Sequence, residues 1–396
     1  MEQSLRKGHI VHDIRDTGKK DLYFVAIDVG AGQGTRIALF QNNSENKIAE
    51  TQVKLIDYGD TYQSFLSILT ETVAKFLRQN GIPEHQLTAI GIATPGILRS
   101  DGGFQMVHNL PHFIDHNLRK DLCDHFNVPV GIENDANAGG LAEWSVLRIE
   151  LLYWVFGGGW GGAWISKSGQ VRFPVRDWNG DDASLHYTNE PGFSIPLDKI
   201  ILKSLFNEVN ASYERLERVL LEDFKPTDGK ILGPCGDEET IRAELILSGP
   251  GRCRLFRAVV GDDDFYERFL DIHETKQMSD PAVAGQYISK LSSMRVEAAI
   301  NTDRLYGKIL ATATRTMIKS AEQQGMPEGI PICLGGKPSY ALPYFGPSAQ
   351  RVLGKYGMMN YLRPSIIDER GSNANLVGAS VVAMQAYHAS LAKETV

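Results

Sequence analysis

Apolar residues first gather at Leu22-Tyr23-Phe24-Val25-Ala26-Ile27, a run of strand formers that stops at Asp28 and a glycine cluster. Arg36-Ile37-Ala38-Leu39-Phe40 resumes the pattern, so the two runs predict a hairpin with a loose glycine-rich tip. From Tyr62 the positions Phe65, Ile68, Leu69, Val73, Phe76 and Leu77 recur at helical spacing until Gly81 and Pro83 end the segment, which predicts an amphipathic helix. Leu87 to Ala93 reads as a strand closed by the turn Thr94-Pro95-Gly96. The stripe Leu118, Leu122 and Phe126 predicts a helix opening after Asp115. Alternating Val128, Val130 and Ile132 then lead into Glu133-Asn134-Asp135. Strand, helix and strand in succession predict an α/β layer architecture, with a mixed sheet because it begins with a hairpin.

A second hairpin is predicted from Leu151 to Phe156, across Gly157-Gly158-Gly159-Trp160-Gly161-Gly162, and out through Ala163-Trp164-Ile165. Two glycine-tipped hairpins, each starting an α/β unit, point to a duplicated fold whose halves face each other across a cleft. Residues 196–324 read as mostly helical, and Ile330 to Leu334 as a strand ending at Gly335-Gly336. Residues 1–20 are polar, mixed in charge and without apolar period, so they read as an N-terminal extension.

Composition narrows the functional classes. A chain of 396 residues, 42% hydrophobic and 22% charged, fits two domains better than one. A net charge of -7 argues against binding nucleic acid through phosphate neutralisation. No apolar run is long enough to span a bilayer and the N-terminal segment lacks a signal-peptide core, so the expected location is the cytoplasm, away from membranes. Cys123, Cys235, Cys253 and Cys333 form no C-x-x-C half-site and read as reduced thiols.

Glycines at a hairpin tip let backbone N–H groups approach an anion, so Gly30, Gly32 and Gly34 are candidates to hold phosphate oxygens, with a simple β-turn as the alternative. Asp28 beside bound phosphates makes sense only with an intervening cation, and magnesium held through its waters is the usual one. No G-x-x-x-x-G-K-[ST] motif is present, so a P-loop is unsupported. Asp135, at a strand end before the small residues Ala136, Ala138, Gly139 and Gly140, is placed either as a general base projecting into a cleft or as the N-cap of the following helix. His108, His112 and His116 are spaced by four, but Pro111 interrupts any continuous helix, which disfavours a metal site. The aromatics Trp144, Tyr153, Trp154 and Trp164 read as core.

Together these residues resemble a known family. His108-Asn109-Leu110-Pro111 followed by Val128-Pro129-Val130 and Glu133-Asn134-Asp135-Ala136-Asn137-Ala138 resembles the N-L-P … P-V … E-N-D-A-N-A stretch of ROK sugar kinases. Glu244 to Gly251, continuing to Leu255-Phe256-Arg257-Ala258, is similar to the E-R-x-L-S-G-P-G … L-Y-R-A run of bacterial glucokinases. Leu334-Gly335-Gly336 and Asn375-Leu376-Val377-Gly378-Ala379 look like that family's adenosine-site turn and C-terminal helix. The resemblance implies an α/β, two-domain actin-like (ribonuclease H-like) ATPase fold with a cleft between domains. It divides the chain into a small α/β domain over 21–134, joined by a C-terminal helix of about 375–396, and a large α/β domain over 135–374 with a helical insertion.

The resemblance further implies an ATP-dependent sugar kinase, most readily acting on the 6-hydroxyl of a hexose such as glucose, with ATP and Mg2+ as cofactors. An amino or N-acetylated sugar, or a silent sugar-binding regulator, is the alternative. Asp135 would be the catalytic base, and Asn109, Asn134, Glu190 and Glu244 would bind sugar. Gly30, Gly32, Gly34 and Thr35 would form one phosphate loop, Gly159, Gly161 and Gly162 the other, and Gly335 and Gly336 would lie by the adenosine. Asp28 would hold Mg2+ through water. The small-molecule sugar is the implied partner, and a homodimer is compatible with the family.

Three features depart from the family pattern. The loop Asp28 to Thr35 is longer than D-x-G-G-T. No C-x-C-G-x-x-G-C segment is present, so no structural zinc is expected. Phe193 stands where the family has a sugar-contacting His.

Overall fold

The first apolar run becomes β1 (Tyr23–Asp28), paired antiparallel with β2 (Thr35–Gln41), which pairs in turn with β3 (Lys47–Val53). The computed structural model describes residues 21–30, 34–54, 61–107, 109–173, 189–224, 229–233, 236–261, 266–267 and 281–394. The N-terminal extension, Gly32, His108 and Cys235 lie outside the described residues. β4 (Leu87–Thr94) runs parallel to β1, a small hairpin of β5 (Ile97–Leu98) and β6 (Phe104–Met106) follows, and β7 (Val130–Asn134) runs parallel to β4. The resulting sheet has the order β3-β2-β1-β4-β7.

Alternation along β1 sorts the two faces of this sheet. Val25 and Ile27 join Phe65, Leu69 and Val73 of α1 (Tyr62–Gln79) in one core. Phe24 and Ala26 face the C-terminal helix Ala374–Glu394, where the packed residues are largely alanine. This second face is built for close approach. A Cβ added at Gly91 would lie 1.8 Å from the Ala379 carbonyl oxygen, and one at Gly131 would lie 2.6 Å from Val382.

Thr61 caps α1 by accepting from the Ser64 N–H, as its position before the apolar stripe requires. The next helix, α2 (Leu118–Phe126), is capped by Asn117 and not by Asp115, which adopts a left-handed φ of 65°. His116 stacks on Tyr62 at 4.0 Å, and His112 packs against Phe113 in a 3-10 turn, so both serve packing.

The second half repeats the plan. β8 (Leu151–Phe156) and β9 (Trp160–Ile165) form the second hairpin. β10 (Pro196–Asp198) pairs with β11 (Thr240–Arg242) as a small separate ribbon. β12 (Pro331–Gly335) lies parallel to both β8 and β13 (Tyr361–Pro364), giving the order β13-β12-β8-β9. That sequence of hairpin and parallel strands matches β7-β4-β1-β2 position for position, so the duplication read from the glycine hairpins is present in the sheets. The described residues of 196–324 are mainly helical, as their pattern predicts, and Arg252 on helix Gly249–Val260 pairs with Asp303 of helix Glu297–Gln323 at 2.6 Å in the core.

Two helices lie between the sheets. α3 (Asp135–Leu147) leaves the end of β7 and packs on the second sheet, with Gly139 against Tyr153 and Gly140 against Ile165. The C-terminal helix covers the first sheet and crosses α3 where a Cβ at Gly378 would lie 1.9 Å from the Ala138 oxygen. No helix among the described residues is long and apolar enough to cross a membrane.

Candidate active site

The parallel strands β1, β4 and β7 end at Asp28, Thr94 and Asn134 on one edge of the sheet, where ligands of open α/β folds bind. Beside this edge opens a cleft of about 500 Å³ lined by Asp135, Glu190 and Glu244, by Gly157, Gly158, Gly159 and Gly161, and by Asn109. Ile97, Met106, Val107, Trp160, Phe193 and Leu245 add an apolar wall, and Ser248 and Arg254 also line the space. The cleft thus unites the β5–β6 hairpin and α3 with the glycine hairpin and the two short segments that carry Glu190 and Glu244.

Asp135 is the first helical residue of α3, and Asn134 is its cap: Asn134 Oδ1 accepts from the N–H groups of Ala136 (2.8 Å) and Asn137 (3.4 Å). The capping role considered for Asp135 therefore falls to its neighbour. Asp135 accepts the Ala136 N–H at 2.8 Å, and its pKa is pushed up to about 6 by burial and by the charge of Asp28. Glu190 is pushed further, to about 8, by burial and by Asp135 and Glu244, against a hydrogen bond from Asn134. A base that ionises near neutrality and a carboxyl group able to donate as well as accept are thereby placed in one cleft.

Asn134 is 2% exposed, with its amide donating to the Gly96 carbonyl oxygen at 3.1 Å as well as to Glu190. It orients Glu190 and does not line the cleft. Gly162 also departs from its expected role: its N–H donates to the Asn189 carbonyl at 2.9 Å, and a Cβ there would meet the Trp154 ring at 2.4 Å. That glycine is required by packing and has no N–H to offer a phosphate. Gly335 is buried with its Cα against the Tyr153 hydroxyl, and Gly336, at φ 80°, gives its N–H to Asp368 Oδ2 at 2.8 Å. Thr35 is fully buried at the start of β2. By contrast, Gly157 and Gly158 have open space where a Cβ would stand, and Gly157 is anchored through its carbonyl to the Gly249 N–H at 2.9 Å.

Asp28 is held at both oxygens, by Asn375 Nδ2 at 3.0 Å and Asn373 Nδ2 at 3.2 Å. Burial raises its pKa, while these hydrogen bonds and Arg36 oppose the shift. Gly30 and Gly34 close the tip beside it, with Gly34 at φ 89°.

The sequence model of the ROK family matches residues 24–169, a span that contains Asp28 and Asp135. Over those residues the chain is similar to ROK-family sequences. Beyond that span the fold itself carries the likeness. A ROK hexokinase from Thermus thermophilus superposes with a TM-score of 0.58 at 20% identity, over 92% of this chain and 98% of that one. A ROK family glucokinase from Streptomyces griseus, solved with glucose and AMPPNP, gives a TM-score of 0.58 at 15% identity over 92% and 99% of the two chains. The fold of these solved ROK proteins therefore extends through the chain.

Among curated relatives, the xylose repressor of Bacillus subtilis is 30% identical over 32% of this chain and 31% of its own. The N-acetyl-D-glucosamine kinase of Escherichia coli O1:K1 is 29% identical over 30% of this chain and 37% of its own. The matches thus span about a third of the length of these relatives, and both a repressor and a kinase stand among them.

Three further side chains shape the cleft, and of these only Arg254 lies outside the motifs read from the sequence. Ser248 lines it while capping helix Gly249–Val260 through the Gly251 N–H. Arg254 is the cation at the cleft's edge, paired with Asp223 at 2.6 Å and lying over the Phe224 ring. Phe193 lines the cleft with one face covered by the Arg242 guanidinium, 4.3 Å from the ring centroid.

Proposed function

We propose that this protein transfers the γ-phosphate of ATP to a hydroxyl of a sugar, the 6-hydroxyl of a hexose being the first candidate, with Asp135 as general base. The observation that carries this reading is Asp135 itself. Asn134 has taken over the cap, which leaves the Asp135 carboxylate facing the cleft with its pKa raised toward neutrality. A base of that strength can accept the proton of an attacking hydroxyl without being protonated at rest.

Sugar hydroxyls would donate to Glu190 and Glu244, and Asn109 would supply an amide at the opposite wall. The hairpin tip at Gly157 and Gly158, where a side chain would meet only open space, leaves room for a phosphate chain, although the Gly157 N–H itself donates to the Gly159 carbonyl at 3.0 Å. Among the described residues no group of three or more His, Cys, Asp or Glu side chains could hold a bare metal ion. The single carboxylate of Asp28 fits a divalent cation that arrives with the nucleotide and keeps its waters. When bound, magnesium would supply charge neutralisation for the phosphates.

Phe193 bears on which sugar is accepted. A His at this position can hydrogen-bond a hydroxyl, whereas the Phe ring with Ile97, Met106 and Leu245 offers an apolar wall suited to a substituent such as an acyl methyl group. N-acetylated hexoses are therefore the second candidate substrates. The similarity to a xylose repressor favours one other reading, a sugar-binding regulator without catalysis. A screen of ADP release over neutral, amino and N-acetylated hexoses, with ATP and magnesium, separates these readings. Turnover with any of them that Asp135→Asn abolishes supports the kinase, and sugar binding without turnover on the whole panel supports the regulator.

A further inference from the structure

Asn373 and Asn375 lie about 345 positions along the chain from Asp28, yet their amide groups take one oxygen each of its carboxylate, at 3.2 and 3.0 Å. Neither contact is incidental to a loop. Asn373 Oδ1 accepts from the Leu376 N–H at 3.0 Å, so this side chain starts the C-terminal helix with its oxygen and grips Asp28 with its nitrogen. Asn375 sits in the first turn of the same helix, whose body packs on β1 and β4.

The segment just before these residues belongs to the other sheet. Ser365 and the N–H groups of Ile366 and Ile367 grip Glu143 of α3, and Asp368 accepts the Gly336 N–H at 2.8 Å. The chain then turns at Gly371, φ 68°, and reaches Asn373. Residues 365–375 thus connect the glycine turn after β12, the helix that carries Asp135, and the carboxylate of Asp28.

We propose that Asn373 and Asn375 are positioning residues that aim the Asp28 carboxylate toward a nucleotide-bound magnesium ion and link its orientation to the glycine turn at Gly336. The inference rests on the kinase reading of the cleft. Two amide donors on one carboxylate fix its plane, and each leaves the outer lone pairs of its oxygen open to water. Without them a half-buried carboxylate can rotate, and a metal held only through water loses an ordered partner.

The test is ATP affinity measured by calorimetry with and without magnesium, in the native protein and in Asp28→Ala, Asn375→Ala and Asn373→Asp. Asp keeps the helix cap at position 373 but removes the donor and sets a second charge against Asp28, so helix stability and carboxylate positioning are separated. Native protein should show a magnesium-dependent gain in ATP affinity. Asn375→Ala and Asn373→Asp should reduce that gain about tenfold, in the range that loss of a ligand-orienting partner produces. Their melting temperatures and sugar affinity should remain close to native. A full magnesium gain in both variants, with Asp28→Ala lacking it, overturns the inference while leaving the kinase reading intact. Absence of any ATP binding by the native protein overturns both.

Discussion

The pH dependence of turnover tests the site most sharply, because the structure gives Asp135 a pKa of about 6 in place of 3.8. If Asp135 is the base, the rate at limiting substrate follows its ionised fraction. For a pKa near 6 that fraction is ~0.09 at pH 5 and ~0.9 at pH 7, so kcat/KM should rise about tenfold between them. An Asp with its ordinary pKa would be ~94% ionised already at pH 5, and the same comparison would give a ratio near one. The direction also has a named origin. Burial and the charge of Asp28 raise the pKa, so Asp28→Asn should move the acid limb to lower pH even though it weakens turnover. The measurement is direct chromatographic quantification of ADP and phosphosugar from pH 4.5 to 8, in native protein and Asp135→Asn, with the best sugar of the panel. The variant should lose on the order of 10²–10⁴ in rate and should lack the limb. A flat profile from pH 5 to 7, or an unchanged limb in the residual activity of Asp135→Asn, refutes the assignment of Asp135 as base.

The other predictions concern specificity and stability. Phe193→His should improve kcat/KM for glucose relative to N-acetylated hexoses by roughly 5- to 150-fold, the value of one hydrogen bond in a closed site. No change in that ratio means that the ring does not meet the sugar. The raised pKa values of Asp135 and Glu190 mean that the native state binds more protons than the unfolded chain above pH 4. Their stabilising contribution is therefore complete below the unfolded values and is lost as pH rises through about 6 and then about 8. Thermal melts without ligand should fall from pH 5 to pH 9, and Glu190→Gln should flatten the upper part of that decline. Gly131→Val inserts atoms where a Cβ alone would lie 2.6 Å from Val382, so it should destabilise by about 1–3 kcal/mol in urea titrations. Native-like stability of that variant would show that the C-terminal helix can move off the first sheet.

The frame was legible where burial is two-sided. β1, β4, β8 and β12 are continuous apolar runs because each is covered on both faces, and such runs stand out in any sequence. β3 was not read, since Lys47, Ile48, Glu50 and Gln52 lie largely toward solvent and only Val53 is buried. β13 is four residues long, ends in Pro364 and lies at a sheet edge, which leaves almost no apolar signature. In the site, the exchange of roles between Asn134 and Asp135 could not be read locally, because both residue types cap helices well. Only the extended backbone of Asn134, at φ -61° and ψ 148°, decides which of them is the cap. The glycines misled in a consistent way. A glycine needed for an anion and one needed for a neighbouring ring look alike in sequence, and Gly162 packs on the Trp154 ring and donates to the Asn189 carbonyl.

The charge balance of the cleft bears on the order in which ligands would enter. Asp135, Glu190 and Glu244 line one space, Asp28 is near enough to raise the Asp135 pKa, and the cation at the edge, Arg254, is already paired with Asp223. A bare nucleotide would add several negative charges to this arrangement, whereas a sugar adds only hydroxyl donors and relieves the mutual repulsion of the carboxylates. On the kinase reading, each hydroxyl that donates to Glu190 or Asp135 stabilises the ionised form, so sugar binding and ionisation of the base favour each other. On the same reading the nucleotide would be received from the side of Gly157 and Gly158, with Asp28 toward its cation. On the kinase reading, the acidic residues would surround the hydroxyl that is phosphorylated and the glycines the phosphate donor, with Asp135 taking the proton that must leave as the phosphoryl group arrives.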